Sequence, residues 1–369
     1  MYTLRRRLLL FLCVVGLGLP LSGCDQGEGM DEALPPEEAE TRISSAVEGL
    51  SESAGTLEGG EFSNSLKGFL GLENGEATSE DWAEPLIERL DAVIKTSDER
   101  FQFDASTGVY VWSADTEEWV REGSSNSIVL EFPATEGAAG NNTMLELSRY
   151  SDTPLTVNGE TVYLPTSGTG AISVDESEVF SVDLNGVDYA TEEGFEVPIP
   201  QSFSLEIFTA PHTHTFNLSE NSSTDYDFSF DLENRDELVA GFSVGAQLAT
   251  DNYDELESTD VEELSGELRI GPDLTVPYTV QAGEIAAFDD PTEEQVNNRI
   301  DATVQFQGQE LATLQYDDGS ERFEVVYSDG SVDPASMFFE DFVSEMEAIW
   351  SEYLGRDDFG TVLDDIVLD

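Results

Sequence analysis

Basic residues are scarce in this sequence. It has 15 Lys and Arg residues against 78 Asp and Glu residues, so its formal net charge is −63. Binding to DNA or RNA requires a basic stripe that neutralises phosphates, and the chain lacks one, so nucleic acid is excluded as a partner. The acids are spread over almost every segment. This distribution favours adaptation to high salt, where the Debye length falls to about 3 Å and charge repulsion is screened.

Histidine is also scarce, and sequence motifs for catalysis are missing. There is no Gly-x-Ser-x-Gly elbow, phosphate-binding loop, dinucleotide-binding glycine fingerprint or zincin helix. The chain's two histidines are His212 and His214. On a strand they would point to the same face, and with an added carboxylate they could bind zinc or copper. We favour exposed strand or loop histidines, and keep the pair as the candidate metal ligands.

Cysteine occurs at only two positions, Cys13 and Cys24. The first three arginines lie at positions 5–7, an apolar run covers 8–19, and the sequence Leu-Ser-Gly precedes Cys24. This order predicts a secretory signal peptide over residues 1–23. The apolar run is well short of the roughly 20 residues that span a bilayer.

The Leu-Ser-Gly-Cys sequence resembles the lipobox of bacterial lipoproteins. The resemblance implies cleavage before Cys24, a covalent lipid on that cysteine and a mature protein anchored to a membrane by acyl chains. Cys13 would be removed with the signal peptide, so the mature protein would have no disulfide. The implied location is the cell envelope, at the outer membrane, facing either the periplasm or the outside.

The segments that follow the signal peptide are predicted to be a tether and a helical region. Residues 24–40 are acidic and contain two prolines, which is typical of a flexible tether. Residues 41–98 are predicted to be helical and to pack on the sheet. The clearest start is the capping-box-like sequence at 78–81. It precedes an apolar stripe of a core-facing helix, formed by Trp82, Leu86, Ile87, Leu90, Val93 and Ile94.

From residue 99 to 332 the apolar residues alternate with polar ones, as in half-buried strands. In the segment 226–232, aromatic and aliphatic residues alternate with Asp and Ser. Similar runs occur at 110–112, 119–120, 128–132, 144–147, 203–207, 304–306, 311–316 and 323–327. A hairpin turn is predicted at 317–320. The predicted fold class is α+β, mainly β, with a large antiparallel sheet that is a sandwich or an open half-barrel, flanked by N-terminal helices and one C-terminal helix.

Residues 333–369 are predicted to form an amphipathic helix and a tail. Its aromatic stripe includes Phe338, Phe342 and Trp350. The stripe has two interpretations. It is the core-facing side of an ordinary α+β domain, which we favour, or it is a lid that lines a cavity for an apolar ligand.

A second resemblance lies in the segment 108–145. Gly108-Val109-Tyr110-Val111-Trp112, Trp119, Leu130-Glu131-Phe132-Pro133 and Asn141-Asn142-Thr143-Met144-Leu145 resemble a pattern of secreted lipoproteins in Bacteroidota-type bacteria. In that pattern a tryptophan-bearing hairpin precedes a strand that ends in Phe-Pro. The resemblance implies a β-rich envelope protein, and it transfers no catalytic residues.

Clustered carboxylates raise the question of a calcium site. The two candidate clusters are Asp225, Asp227 and Asp231, and Asp251, Asp254 and Glu255. Neither has the glycine turn and terminal glutamate of a calcium loop. A salt-adapted surface produces such clusters by chance, so we predict no specific calcium site.

Three classes of function fit these features. The first, which we favour, is a membrane-anchored, non-enzymatic envelope module that is structural or binds a protein. The second is a carrier of lipid or another apolar ligand. The third is a hydrolase with a pair of carboxylates, one of which has a raised pKa. We predict no enzymatic activity, no cofactor apart from the lipid on Cys24, and a membrane, an envelope protein or a lipid as partners.

Overall fold

The computed structural model describes residues 35–58, 65, 72–73, 76–77, 84–97, 100–135, 138, 140–157, 160–189, 200–251, 258–288, 291–320 and 322–338. Strands make up most of this part of the chain, together with a few mostly short helices. The predicted class, α+β and mainly β, is confirmed. Among these residues no helix is both long enough and apolar enough to cross a bilayer.

The helices are α1 (Pro36–Glu58), α2 (Glu84–Glu88), α3 (Phe103–Ser106), α4 (Ala282–Ala286) and α5 (Glu293–Asn297), with 3-10 turns at Arg89–Ala92 and Ser258–Asp260. The short strands before the main sheet are β1 (Leu72–Glu73), β2 (Glu76–Ala77), β3 (Thr96–Ser97) and β4 (Arg100–Phe101). The strands of the main sheet are β5 (Gly108–Ser113), β6 (Glu118–Gly123), β7 (Ile128–Phe132), β8 (Thr143–Val157), β9 (Glu160–Val174), β10 (Ser177–Tyr189), β11 (Pro200–Thr209), β12 (His212–Ser222), β13 (Asp225–Asn234), β14 (Glu237–Leu248), β15 (Val261–Ile270), β16 (Leu274–Val280), β17 (Ile300–Phe306), β18 (Gln309–Asp317), β19 (Arg322–Tyr327) and β20 (Val332–Pro334).

The main sheet is open and follows the chain order almost throughout. Its 16 strands are ordered from β20 down to β7, and then β5 and β6. The consecutive strands from β13 to β20 pair antiparallel, as predicted. The pair β5–β7 is parallel, which corrects the prediction of a purely antiparallel sheet. It arises because β7 pairs with β5 on the side opposite to the β5–β6 hairpin.

Contacts divide the chain into two compact units: residues 1–58 with 217–369, here the first unit, and residues 59–216, the second unit. The core of the first unit lies on one face of strands β13 to β19. Strand β16 shows the pattern most clearly, because Leu274, Val276, Tyr278 and Val280 are all buried and alternate with half-buried residues. Alternation along each strand therefore separates an apolar inner face from a polar outer face.

Helix α1 covers the apolar inner face of the first unit. Ala39, Ile43 and Val47 recur every four residues, and all three are buried against the sheet. The helix begins at Pro36, inside the range 24–40 that the sequence predicts to be a tether. Proline fits the first turn of a helix, where its missing N–H has no helical partner to lose.

The second unit has its own core around the β5–β6 hairpin. The rings of Trp112 and Trp119 pair across the hairpin at 5.3 Å, and the Trp119 indole N–H donates to the Leu86 carbonyl at 3.1 Å. Leu86 and Val93 are buried there, as predicted, whereas Ile87 is 57 % exposed and does not belong to the buried stripe. Trp82 and the predicted helix start at 78–81 lie outside the described residues.

Candidate functional site: a polar groove on the sheet

Three adjacent strands of the first unit share one polar face. Their register brings three sets of residues side by side across β13, β14 and β15: Asp227, Gly245 and Ser265; Ser229, Ser243 and Glu267; and Asp231, Gly241 and Arg269. Directly opposite residues of a sheet point to the same side. The alternate residues of β13 and β14, among them Phe228, Phe230 and Phe242, point to the other side of the sheet, where Phe230 packs against the core.

The middle strand of this face carries almost no side-chain volume. Gly241, Ser243 and Gly245 are successive outward positions of β14, about 7 Å apart along the strand. Ser243 and Gly245 line a groove with a volume of about 320 Å³, whereas Gly241 lies outside it. The lining residues of the groove are mostly polar, with two apolar ones: Asn217, Ser219, Asp227, Ser229, Ser243, Gly245 and Ser265, together with Phe228 and Val244. We call this feature the polar groove.

Hydrogen bonds fix one wall of the polar groove. The Asn217 side-chain amide donates to Ser229 Oγ at 3.3 Å, and the Asn221 amide donates to Asp227 Oδ2 at 2.7 Å. The second carboxylate oxygen, Asp227 Oδ1, would lie 3.1 Å from a Cβ atom added to Gly245. Ser265 Oγ would also lie 3.1 Å from that atom, so the two oxygens converge above the glycine.

An ion pair lies in the same three strands, across Gly241. Arg269 Nη2 donates to Asp231 Oδ1 at 2.6 Å, and its Nε lies 4.0 Å from a Glu267 carboxylate oxygen. Burial raises the pKa of Asp231, and the charge and hydrogen bond of Arg269 oppose that rise. This carboxylate is therefore held by arginine, which leaves Asp227 as the carboxylate of the groove lining.

The two histidines lie in the second unit at the start of β12. His212 is fully buried, so the expectation of exposed histidines is wrong for this residue. The Nε2 atom of His214 lies 3.0 Å from Thr209 Oγ1. Burial and the neighbouring His212 lower the pKa of His214 to about 4. In the part of the chain that the structure describes, no three His, Cys, Asp or Glu side chains form a group that could hold a metal ion.

The candidate calcium ligands of β13 share a face but have other partners. Asp231 pairs with Arg269, and Asp227 accepts a hydrogen bond from Asn221. Of the second candidate cluster, Asp254 and Glu255 lie outside the described residues.

Of the residues predicted for the C-terminal aromatic stripe and the lipid anchor, the structure describes only Phe338. Phe338 is buried in the core of the first unit with residues of α1 and the sheet, which agrees with a core-facing stripe. Residues 332–334 form β20 and pair with β19, and helical residues follow at 336–338, after Asp333-Pro334 where the C-terminal helix is predicted to begin. Phe342, Trp350 and Cys24 lie outside the described residues.

Sequence reasoning found the polar face of β13 but missed the polar groove. The alternation of Asp227, Ser229 and Asp231 with aromatic residues indicated an acidic outer face. The groove depends on Ser243 and Gly245 of β14 lying beside that face, and this register is visible only in the structure. Strand β14 was not among the predicted strands, and its two glycines four residues apart, Gly241 and Gly245, were the signal that could have drawn attention to it. Comparison of the chain with protein-family models, with curated proteins and with solved structures finds no match.

Proposed function

We propose that the protein is a lipid-anchored module of the cell envelope that works at high salt and binds a polar ligand without chemical conversion. The polar groove is the observation that carries the binding function. It lies on hydrogen-bonded strands, so its polar groups are held in place before a ligand arrives.

The composition of the groove supports binding rather than catalysis. A carboxylate-pair hydrolase needs two carboxyl groups roughly 5 to 10 Å apart. Among the described residues that line the groove, Asp227 is the single carboxylate, and the serines have no lining histidine as a base. The lining offers hydroxyl, amide and carboxylate groups that can hold a ligand but contains no activated nucleophile.

The anchor is tested by replacing its cysteine. Cys24→Ser removes the thiol that would carry the lipid, so we expect the protein to leave the membrane fraction and to lose incorporation of a labelled fatty acid. Cys13→Ser, in the predicted signal peptide, is the matched control and should stay at the membrane. A Cys24→Ser protein that remains membrane-bound and lipid-labelled would refute the anchor.

The binding function is tested by filling the groove. Ser243→Leu places an apolar side chain in the middle of the groove, and Thr275→Leu makes the same kind of change on the outer face of β16, outside the lining. With both changes made in the Cys24→Ser protein, so that no lipid mediates the contact, we expect Ser243→Leu to weaken capture of the isolated envelope fraction and Thr275→Leu to leave it unchanged. Equal capture by both variants and the Cys24→Ser protein would refute the groove as the binding site.

A second candidate function, the transport of an apolar ligand, is favoured by one feature of the second unit. Val182 and Leu184 of β10 lie directly opposite Ile207 and Leu205 of β11, and all four are half-buried rather than fully buried. An apolar ligand on this face would remove the remaining apolar surface from water. Solvent extraction of the purified protein, followed by mass spectrometry, tests this function: a lipid present in stoichiometric amount supports it, and a lipid-free extract from folded protein contradicts it.

A further inference from the structure

We propose that the polar groove binds a neutral polyhydroxylated molecule, specifically a sugar unit of an envelope glycan. The inference rests on the proposed function, since it names the ligand class of the same site. It follows from the shape of the groove, from its hydrogen-bonding groups and from its charge.

The shape of the groove suits a compact ligand that lies against backbone. Its volume of about 320 Å³ is at the lower end of the range for small-molecule pockets, roughly 300–1,000 Å³. Glycine in a strand interior weakens a sheet and often marks the close approach of a ligand. At Gly245 the close approach is by polar groups of the protein: an added Cβ would lie only 3.1 Å from both Asp227 Oδ1 and Ser265 Oγ, so the glycine lets two ligand-binding oxygens come together beside the groove.

The hydrogen-bonding groups of the groove match those of a sugar. Each serine hydroxyl donates one hydrogen bond and accepts two, and a sugar hydroxyl does the same. Within the described residues, the hydroxyls of Ser219, Ser243 and Ser265 make no hydrogen bond to protein, so they are free for a ligand. Asp227 Oδ1 adds a charged acceptor beside them, and hydrogen bonds to a charged group are stronger than neutral ones.

The groups of the groove disfavour three other classes of ligand: anions, calcium and apolar molecules. An anionic sugar or phosphate would be repelled by Asp227 in the lining, by Glu267 beside Ser243 and by a chain of net charge −63. Calcium takes six to eight oxygen ligands, usually with several carboxylates, and this lining supplies one carboxylate. An apolar ligand would bury serine hydroxyls without partners, which is unfavourable. A neutral polyol avoids all three penalties.

The experiment is a ligand-observed NMR titration of the full-length protein, in concentrated KCl and a detergent without sugar head groups. The probes are the neutral trisaccharides maltotriose, cellotriose and mannotriose, together with trigalacturonate as an anionic sugar and spermidine as a cation. We expect at least one neutral trisaccharide to bind, and trigalacturonate not to bind. Ser243→Leu should weaken that binding by at least about tenfold, and Thr275→Leu should change it less than about twofold. Asp227→Asn, which keeps the shape of the side chain, should weaken it by about three- to tenfold.

Three results would overturn the proposal: no neutral trisaccharide binds the folded protein, spermidine binds with the same dependence on Ser243, or sugar binding survives Ser243→Leu. Circular dichroism of each variant shows whether it is folded. The envelope-capture assay distinguishes a wrong ligand class from a groove that binds nothing. If Ser243→Leu abolishes envelope capture but no neutral sugar binds, the sugar assignment is wrong and the binding function stands. If Ser243→Leu also leaves capture unchanged, both are wrong.

Discussion

At Gly241 the absence of a side chain is a structural requirement. A Cβ at this position would collide with Asp231 Oδ1 and would lie 3.0 Å from the Phe230 carbonyl oxygen and 3.2 Å from Arg269 Nη2. The ion pair between Asp231 and Arg269 thus passes directly over the glycine, from β13 to β15. We expect Gly241→Ala to lower the free energy of unfolding by about 1–3 kcal/mol, because the backbone and the ion pair must both move.

Gly168 provides the matched control for Gly241. It is also a strand glycine with an ordinary backbone conformation, but the nearest atom to an added Cβ is the Arg149 carbonyl oxygen at 3.9 Å. Gly168→Ala should be neutral or stabilising by up to about 1 kcal/mol, since alanine reduces the entropy of the unfolded chain. Chemical denaturation of both variants measures the difference. Equal stabilities would contradict the collision at Gly241.

His214 couples stability to pH. Its folded-state pKa is about 4, below the ordinary value of 6.5, because burial and His212 disfavour the charged ring. The unfolded chain takes up a proton near pH 6.5 while the folded chain does not, so the stability from the neutral ring is complete above pH 6.5 and is lost as the pH falls toward 4. The loss amounts to about 3 kcal/mol over this interval.

Carboxylates also make the free energy of unfolding depend on pH, so the contribution of His214 is measured as a difference between two proteins. His214→Gln removes the titrating ring, and all other groups remain in both proteins. We expect the stability difference between the unmodified protein and His214→Gln to shift by a few kcal/mol between pH 7 and pH 4.5, measured by denaturation in constant KCl. A difference that is independent of pH would show that His214 titrates normally.

At the scale of elements, α1 is the cover of the first unit's apolar face. Ile43 is 1 % exposed in the core, whereas its neighbour Ser44 is exposed. Ile43→Ala should lower the free energy of unfolding by about 2–4 kcal/mol through lost burial and a residual cavity. Ser44→Ala should change it by less than about 0.5 kcal/mol. Thermal denaturation of the two variants measures the effect, and equal melting temperatures would show that α1 does not stabilise the sheet.

Strands and turns were more predictable from the sequence than helices and the site. The alternation at 226–232 predicted β13, and the Asp-Asp-Gly-Ser sequence predicted the turn between β18 and β19, where the Ser320 N–H donates to Asp317 Oδ2 at 2.7 Å. These features depend on neighbouring residues. The start of α1 at Pro36 was missed, because its acidic first turn resembles a solvated linker. The polar groove was missed because it requires the pairing of four strands, β12 to β15, which no local pattern encodes.

At the scale of the whole molecule, acidic charge is poorly compensated. Among the described residues, the arginines at 42, 100, 149, 269 and 299 each lie within 4.0 Å of a carboxylate. With 15 basic residues in the chain, most of the 78 acidic residues cannot have such a partner. The folded state brings these charges closer together than the unfolded state does, so their repulsion opposes folding in dilute buffer.

Screening by salt should therefore stabilise the fold strongly. Raising KCl from about 0.1 M to about 3 M shortens the Debye length from about 10 Å to below 3 Å, so exposed carboxylates no longer repel beyond contact distance. We expect the Tm measured by circular dichroism to rise by at least about 10 °C, which corresponds to roughly 3–5 kcal/mol for units of this size. Sucrose at matched osmolality strengthens apolar burial without screening charge, so it should raise the Tm much less. An equal rise in sucrose and KCl would assign the effect to burial, and an unchanged Tm in KCl would remove charge repulsion as the reason for the acidic composition.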